Sequence, residues 1–269
     1  MKDLSIYCMS TNNENLEIIK SLNYIPVGLR NNNFSNEWLR DNTGDNITNK
    51  NPYYGEYTFY YWYWKNLLKY KKINEWVGFC SYREYWGNNS KINSTKLSDL
   101  VLQKIHPEWE EYETIIGKPI SVGVEKLKFM KVIKYGKMAI IKNPKALFSK
   151  EGRTIRWQFD MFHGVGNLDK AIDLLPGDVR EDFRNFTRKE TSFARGNMFI
   201  TKSSKIMNEY FEFIFQWLNK CENHFGFDLK GYGQIRMYTF LAERFLSYWF
   251  KKYTKYLEWP VIFYDINKL

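Results

Sequence analysis

Histidine and cysteine are scarce: the 269 residues hold three of each, at His106, His163 and His224 and at Cys8, Cys80 and Cys221. The cysteines are odd in number and far apart, with no Cys-x-x-Cys and no Cys/His spacing. That excludes a zinc module and leaves buried thiols of a reducing compartment. So few histidines also exclude a His-rich metal site. Nowhere do about 18 apolar residues follow one another, so no segment is expected to span a bilayer. A Lys/Arg block of the kind that marks nucleic-acid tails is missing too, although the net charge is +10.

What is present supports a folded core. Hydrophobic residues make up 44% of the chain, enough to bury a sizeable interior without disulfides. The length suits one α/β unit with additions. A charge of +10 attracts polyanions, with lipid headgroups and sugar diphosphates ahead of nucleic acid because the basic residues are dispersed. They interleave most densely with aromatics in YWFKKYTKY, residues 248–256, a pattern that suits a membrane surface and equally a basic helix end over core aromatics. The first residues, MKDLSIY, carry an acid and no long apolar run, so they do not read as a signal peptide. A cytoplasmic chain, peripheral at the inner membrane face, is the expectation.

Along the chain, residues 4–9 read as a buried strand and Tyr24 to Leu29 as a second. The stretch 40–53, RDNTGDNITNKNPY, is too rich in Asn, Asp and Gly for regular structure. An aromatic helix is predicted from about Glu56 to Tyr70, its rings on every side and so more suited to core than to a stacking platform. Trp76 to Tyr82 reads as a buried parallel strand. Residues 97–118 read as helical, Met138 to Ile141 as a short strand, and 193–200 as a loop entering a strand. Two long helices, about 203–223 and 231–252, precede a tail broken by Pro260. Strands alternating with helices predict a mainly parallel sheet with helices on both faces, with chemistry outside the carboxyl ends of its strands.

Three segments carry the candidate residues. In the 44–56 loop, Gly44 permits a tight turn, and Asp45, Asn46 and Asn51 offer short polar groups that could hold sugar or ribose hydroxyls; a capped turn ahead of a helix fits the same spacing. Glu56 is either a helix-start acid or a hydroxyl-binding carboxylate. Arg83, just past a buried strand, must face a cleft or an ion-pair partner, of which Glu84 is the nearest. On the last helix, Tyr238, Leu241, Phe245 and Trp249 form one apolar stripe, while Arg236, Thr239 and Glu243 share a polar strip that needs partners. Arg244 projects about a hundred degrees from Glu243.

In this order, GDNITNKN (44–51), EYTFYYWYWKN (56–66), VGFCSYREY (77–85), NMFIT (197–201) and FLAERF (240–245) resemble the motifs of a bacterial capsular and exopolysaccharide biosynthesis family of glycosyltransferase-like proteins. Gln158 followed by His163 fits the same pattern. Where that family has HYRRY, this chain has Ser81 and Glu84 in place of the His and second Arg, keeping Tyr82, Arg83 and Tyr85. The resemblance spans nearly the whole chain. It implies a single domain over 1–269 with a Rossmann-like, GT-A type fold, and transfer from a nucleotide-sugar donor to an oligosaccharide or lipid-linked glycan. A non-catalytic carbohydrate-binding subunit is the alternative. Under this reading Glu243 is the base, with Asp160 and Glu190 as rivals, and Arg83 and Arg244 assist catalysis. Asp45, Asn46, Asn51, Glu56, Tyr82, His163, Asn197 and Arg236 form the donor site. No Asp-x-Asp occurs. No metal ligand is assigned, arginines are expected to neutralise the diphosphate, and manganese or magnesium stays open as a cofactor.

Overall fold

The computed structural model describes residues 3–30, 32–89, 94, 96–122, 137–142, 144, 149 and 151–264. In chain order the elements are β1 (Leu4–Ser10), α1 (Leu16–Ser21), β2 (Ile25–Gly28), β3 (Leu39–Arg40), α2 (Asn51–Tyr54), α3 (Tyr57–Trp62), β4 (Trp76–Ser81) and β5 (Glu84–Trp86). After them come α4 (Leu97–Leu100), β6 (Thr114–Gly117), β7 (Ile120–Ser121), α5 (Lys137–Lys142), α6 (Ile155–His163), α7 (Asn167–Asp173) and α8 (Gly177–Lys189). The chain closes with β8 (Ser192–Phe193), β9 (Phe199–Thr201), α9 (Ser204–Phe225), α10 (Tyr232–Ile235), α11 (Met237–Tyr253), β10 (Tyr256–Trp259) and β11 (Val261–Phe263).

The central sheet runs β10-β6-β9-β4-β1-β2-β3, with β5 and β11 paired at its side. β3, β2, β1 and β4 are mutually parallel, β9 is antiparallel to both β4 and β6, and β10 is parallel to β6. This is a mixed, mostly parallel α/β sheet flanked by helices, with two long helices near the C-terminal end.

Alternation along the strands divides the core in two. Val77 and Phe79 of β4 face one layer, where Phe79 meets Tyr60, Phe199 and Phe211. Trp76 and Cys80 face the other, with Cys8 directly across from Cys80 and Trp76 against Trp109. All three cysteines are buried and free. Burying one such aromatic contributes about 1.5–3 kcal/mol. The aromatics of α3 are core as well: Tyr57, Phe59, Tyr60 and Trp62 are all buried.

Several expectations need correction. Residues 97–118 are not one helix: α4 is a single turn, Pro107 opens a 3₁₀ turn, and Thr114–Gly117 is a buried strand between β9 and β10. Two β-branched isoleucines in a four-residue run take their conformation from pairing rather than from periodicity. Met138 to Ile141 is helical, a short apolar run that periodicity cannot resolve. The predicted 56–70 helix breaks into α3, a π turn over Tyr63–Leu67 and a 3₁₀ turn over Leu68–Tyr70. At this break the Asn66 side-chain amide donates to the Trp62 carbonyl at 2.8 Å. Pro260 separates two strands rather than beginning an irregular tail. In the 248–256 segment Tyr248, Trp249 and Phe250 are buried and Tyr253 is exposed, and Lys251 pairs with Glu258 while Lys252 pairs with Asp182, which is the arrangement of a basic helix end over core aromatics. Among the described residues no helix is long and apolar enough to cross a membrane.

Because β1 lies between β2 and β4, the chain steps from β1 to β2 and β3 on one side and then crosses back to β4 on the other. The ends of β1 and β4 therefore flank a topological switch point, where open α/β sheets bind ligands.

Candidate functional site

A cleft of about 440 Å³ lies at this switch point. β1 supplies Ser10 and then Thr11, and β4 supplies Ser81 followed by the Tyr82–Arg83 turn. Two backbone bonds hold that turn, from Tyr82 N–H to the Met9 carbonyl at 3.0 Å and from Tyr264 N–H to the Arg83 carbonyl at 2.9 Å. Arg83 is therefore placed at the cleft by both the strand before it and the end of β11.

Arg30 comes from the end of β2, in a left-handed conformation with φ 68°. Its Nε donates to Asn51 Oδ1 at 3.0 Å, and Asn51 in turn donates to the Gly55 carbonyl at 2.9 Å and Thr58 Oγ1 at 3.0 Å. Gly55 has φ +57°, and a Cβ there would collide with Arg236 Nη2. Glycine is thus what lets Arg236 reach the cleft. Glu56 Oε2 lies 3.6 Å from Arg236 Nη2, and Glu56 Oε1 accepts from Asn197 Nδ2 at 2.6 Å. Arg236 Nε and Asn197 Oδ1 are buried without a hydrogen-bond partner among the described residues.

Three guanidinium groups, Arg30, Arg83 and Arg236, thus line the cleft with one carboxylate, Glu56, and with the hydroxyl-bearing Ser10, Thr11, Ser81, Tyr82 and Tyr232. The excess of cations favours an anion, and guanidinium forks match phosphate oxygens two at a time. Among the described residues no group of three or more His, Cys, Asp or Glu side chains is placed to hold a metal ion.

The polar strip of α11 finds its partners in the Arg195–Asn197 turn. Glu243 Oε1 accepts from Gly196 N–H at 2.8 Å, and Thr239 accepts from Asn197 Nδ2 through its carbonyl at 3.3 Å and its hydroxyl at 3.2 Å. Glu243 Oε2 binds Arg244 Nη1 at 2.5 Å. The two side chains leave the helix in different directions, yet the long guanidinium folds back onto its neighbour. Burial pushes the Glu243 carboxyl up, with Arg244 opposing. Arg244 also donates to Gln158 Oε1 at 2.7 Å and packs over Phe193 at 4.6 Å. Glu84 turns to Arg195 Nε at 2.6 Å. Burial raises its carboxyl too, against Arg195.

The structure therefore brings Arg83, Asn51, Glu56, Tyr82 and Arg236 to one cleft, with Asn197 beneath it. Glu243 lines neither this cleft nor a second, larger one, of about 1020 Å³, that holds His163, Arg244 and Asp160. Glu190 is exposed at the end of α8. Asp45 and Asn46 lie in an outer turn held by Asn66, whose side chain binds Asp45 N–H at 3.2 Å and the Asp45 carbonyl at 2.8 Å. Tyr61 OH donates to Asp45 Oδ1 at 3.1 Å. The sequence reading missed Arg30 and Tyr232; the rule that ligands gather at strand ends pointed to the first, at the end of β2.

The α/β architecture is similar to that of a solved glycosyltransferase structure. The chain matches, with 97% of its length, the apo structure of the bifunctional glycosyltransferase WbbM at a TM-score of 0.66 and 19% identity. It spans 45% of that chain. Residues 5–255 match the family described as "Domain of unknown function (DUF4422)", and the chain belongs to that family. No curated protein matches it.

Proposed function

We propose that the chain is a GT-A type glycosyltransferase that takes a nucleotide-diphospho-sugar in the cleft at the ends of β1 and β4. The observation that carries this reading is the convergence of Arg30, Arg83 and Arg236 with Glu56 at the topological switch point. The arginines hold the diphosphate, and the hydroxyl groups of Ser10, Thr11 and Ser81 suit a ribose or sugar. The acceptor is a growing surface or capsular glycan, free or lipid-linked. This part rests on the motif resemblance.

In the proposed step an acceptor oxygen bonds to the anomeric carbon while the bond from that carbon to the diphosphate breaks. The electron pair leaves on the diphosphate, where guanidinium groups stabilise it. The acceptor's proton passes to a carboxylate. Glu56 is the carboxylate that lines the cleft, oriented by Asn197 and Arg236. Glu243, the base suggested by the sequence, has both oxygens engaged elsewhere.

The test is a thermal-shift screen of UDP-, GDP-, CMP- and dTDP-sugars, followed by assay of nucleotide release. A bound donor raises the melting temperature, and turnover distinguishes an enzyme from a non-catalytic carbohydrate-binding subunit. Failure of every donor to bind contradicts the reading.

A further inference from the structure

The second cleft lies on the other side of Tyr232, which lines both. Tyr232 opens α10 within the connection between α9 and α11, and it is 73% exposed. The connection is held firmly on α6. A Cβ on Gly233 would collide with the Phe162 carbonyl, and His163 Nδ1 lies 2.8 Å from the Gly233 carbonyl.

That contact fixes the imidazole. A carbonyl only accepts, so Nδ1 carries the hydrogen and Nε2 presents a lone pair. His163 is buried, stacked on Phe240 at 4.1 Å between ring centroids, with Tyr232 edge-on to Phe240 at 6.1 Å. Burial, together with the Arg244 charge, holds the ring neutral. Nearby, Gln158 Oε1 is taken by Arg244, which leaves the Gln158 amide N–H groups as donors. Gln234 adds a second amide to the lining. The cleft thus offers aromatic faces, a fixed acceptor and amide donors, beside the charged Asp160, Lys230 and Arg244. This mixture matches a sugar ring, which has an apolar C–H face and hydroxyls that both donate and accept.

We propose that the second cleft is a saccharide subsite for the acceptor, in which a pyranose packs on Phe240 and Tyr232 and donates a hydroxyl to His163 Nε2. This deepens the transferase reading and rests on it. Tyr232, shared by the two clefts, then marks where the acceptor hydroxyl meets the donor sugar. His163 thereby belongs to the acceptor rather than to the donor.

Saturation-transfer NMR tests this, with the methyl glycosides of glucose, galactose, mannose and N-acetylglucosamine as probes and UDP, GDP, CMP and dTDP titrated separately. His163→Asn keeps a donor for the Gly233 carbonyl but removes the Nε2 acceptor. It is expected to weaken the binding glycoside about fivefold or more, with nucleotide affinity unchanged. The exposed Tyr232→Ala serves as a second variant and is judged alone if His163→Asn does not fold; it too is expected to lose glycoside binding. Wild-type glycoside affinity in both variants, or no saturation of any glycoside by wild-type protein that binds nucleotide, overturns the proposal. Glycoside binding that depends on His163 while no nucleotide binds upholds the saccharide site and refutes the donor reading instead.

Discussion

Asn197 donates to Glu56 at 2.6 Å, joining the turn before β9 to the residue that precedes α3. Asn197 itself sits in the left-handed region, with φ 54°, and is buried. Its side chain therefore meets two demands, since Asn tolerates that conformation and its amide orients the cleft carboxylate. Asn197→Ala removes both. A stability loss of about 2 kcal/mol is expected from the lost hydrogen bonds and the strained backbone together. Turnover should fall as Glu56 loses its orientation. An unchanged melting temperature and rate would show that the contact is incidental.

Glu243→Gln separates an ion pair from a base. With one oxygen on Gly196 N–H and the other on Arg244, the carboxylate compensates a buried guanidinium. Breaking a buried pair costs about 3–5 kcal/mol, so denaturant unfolding should reveal a large loss of stability. The folded fraction should keep most of its rate. A stable variant slowed by about 10²–10⁴-fold would instead return the base to Glu243.

His163 predicts a pH dependence of stability. Burial, with Arg244 adding to it, holds its pKa well below the usual 6.5. Its contribution is present in full above pH 6.5 and is lost as the pH falls below that value, because the unfolded chain then binds a proton that the folded ring refuses. The loss approaches about 1.4 kcal/mol for each pH unit once the pH is a unit or more below 6.5. Between pH 7.5 and 5.5 the unfolding free energies of wild type and His163→Asn should diverge by about 1.4 kcal/mol in total. Glu84 and Glu243 have raised carboxyls whose effect has the opposite sign, and it cancels in the comparison. Parallel slopes would mean that the ring is solvated.

How far the sequence could be read depended on whether the signal was local. β1, β2 and β4 were legible as buried runs, and α9 and α11 as long periodic stripes. β6, β10 and β11 were not, because strands of three or four residues draw their conformation from distant partners. Among the residues that line the first cleft, Arg83 was picked out by its place at a strand end and Arg236 by its helix face. Asp45 and Asn46 show the limit of composition, since a turn pinned by Asn66 and a ligand loop have the same Asn/Asp/Gly content. Tyr232 gave no signal because its importance comes from lying between two clefts that exist only once α6, α10 and α11 have packed.

The most direct test of the donor site is calorimetric titration of UDP, GDP, CMP and dTDP into wild type and Arg236→Gln. Arg236 reaches the cleft only over Gly55, its Nε is buried without a partner among the described residues, and its charge is the one nearest Glu56. One nucleoside diphosphate should bind wild type, and the substitution should weaken it at least about tenfold, the scale of a lost charge-assisted hydrogen bond. Equal affinity in the two proteins, or no binding by wild type, would contradict the assignment of this cleft to a nucleotide-sugar.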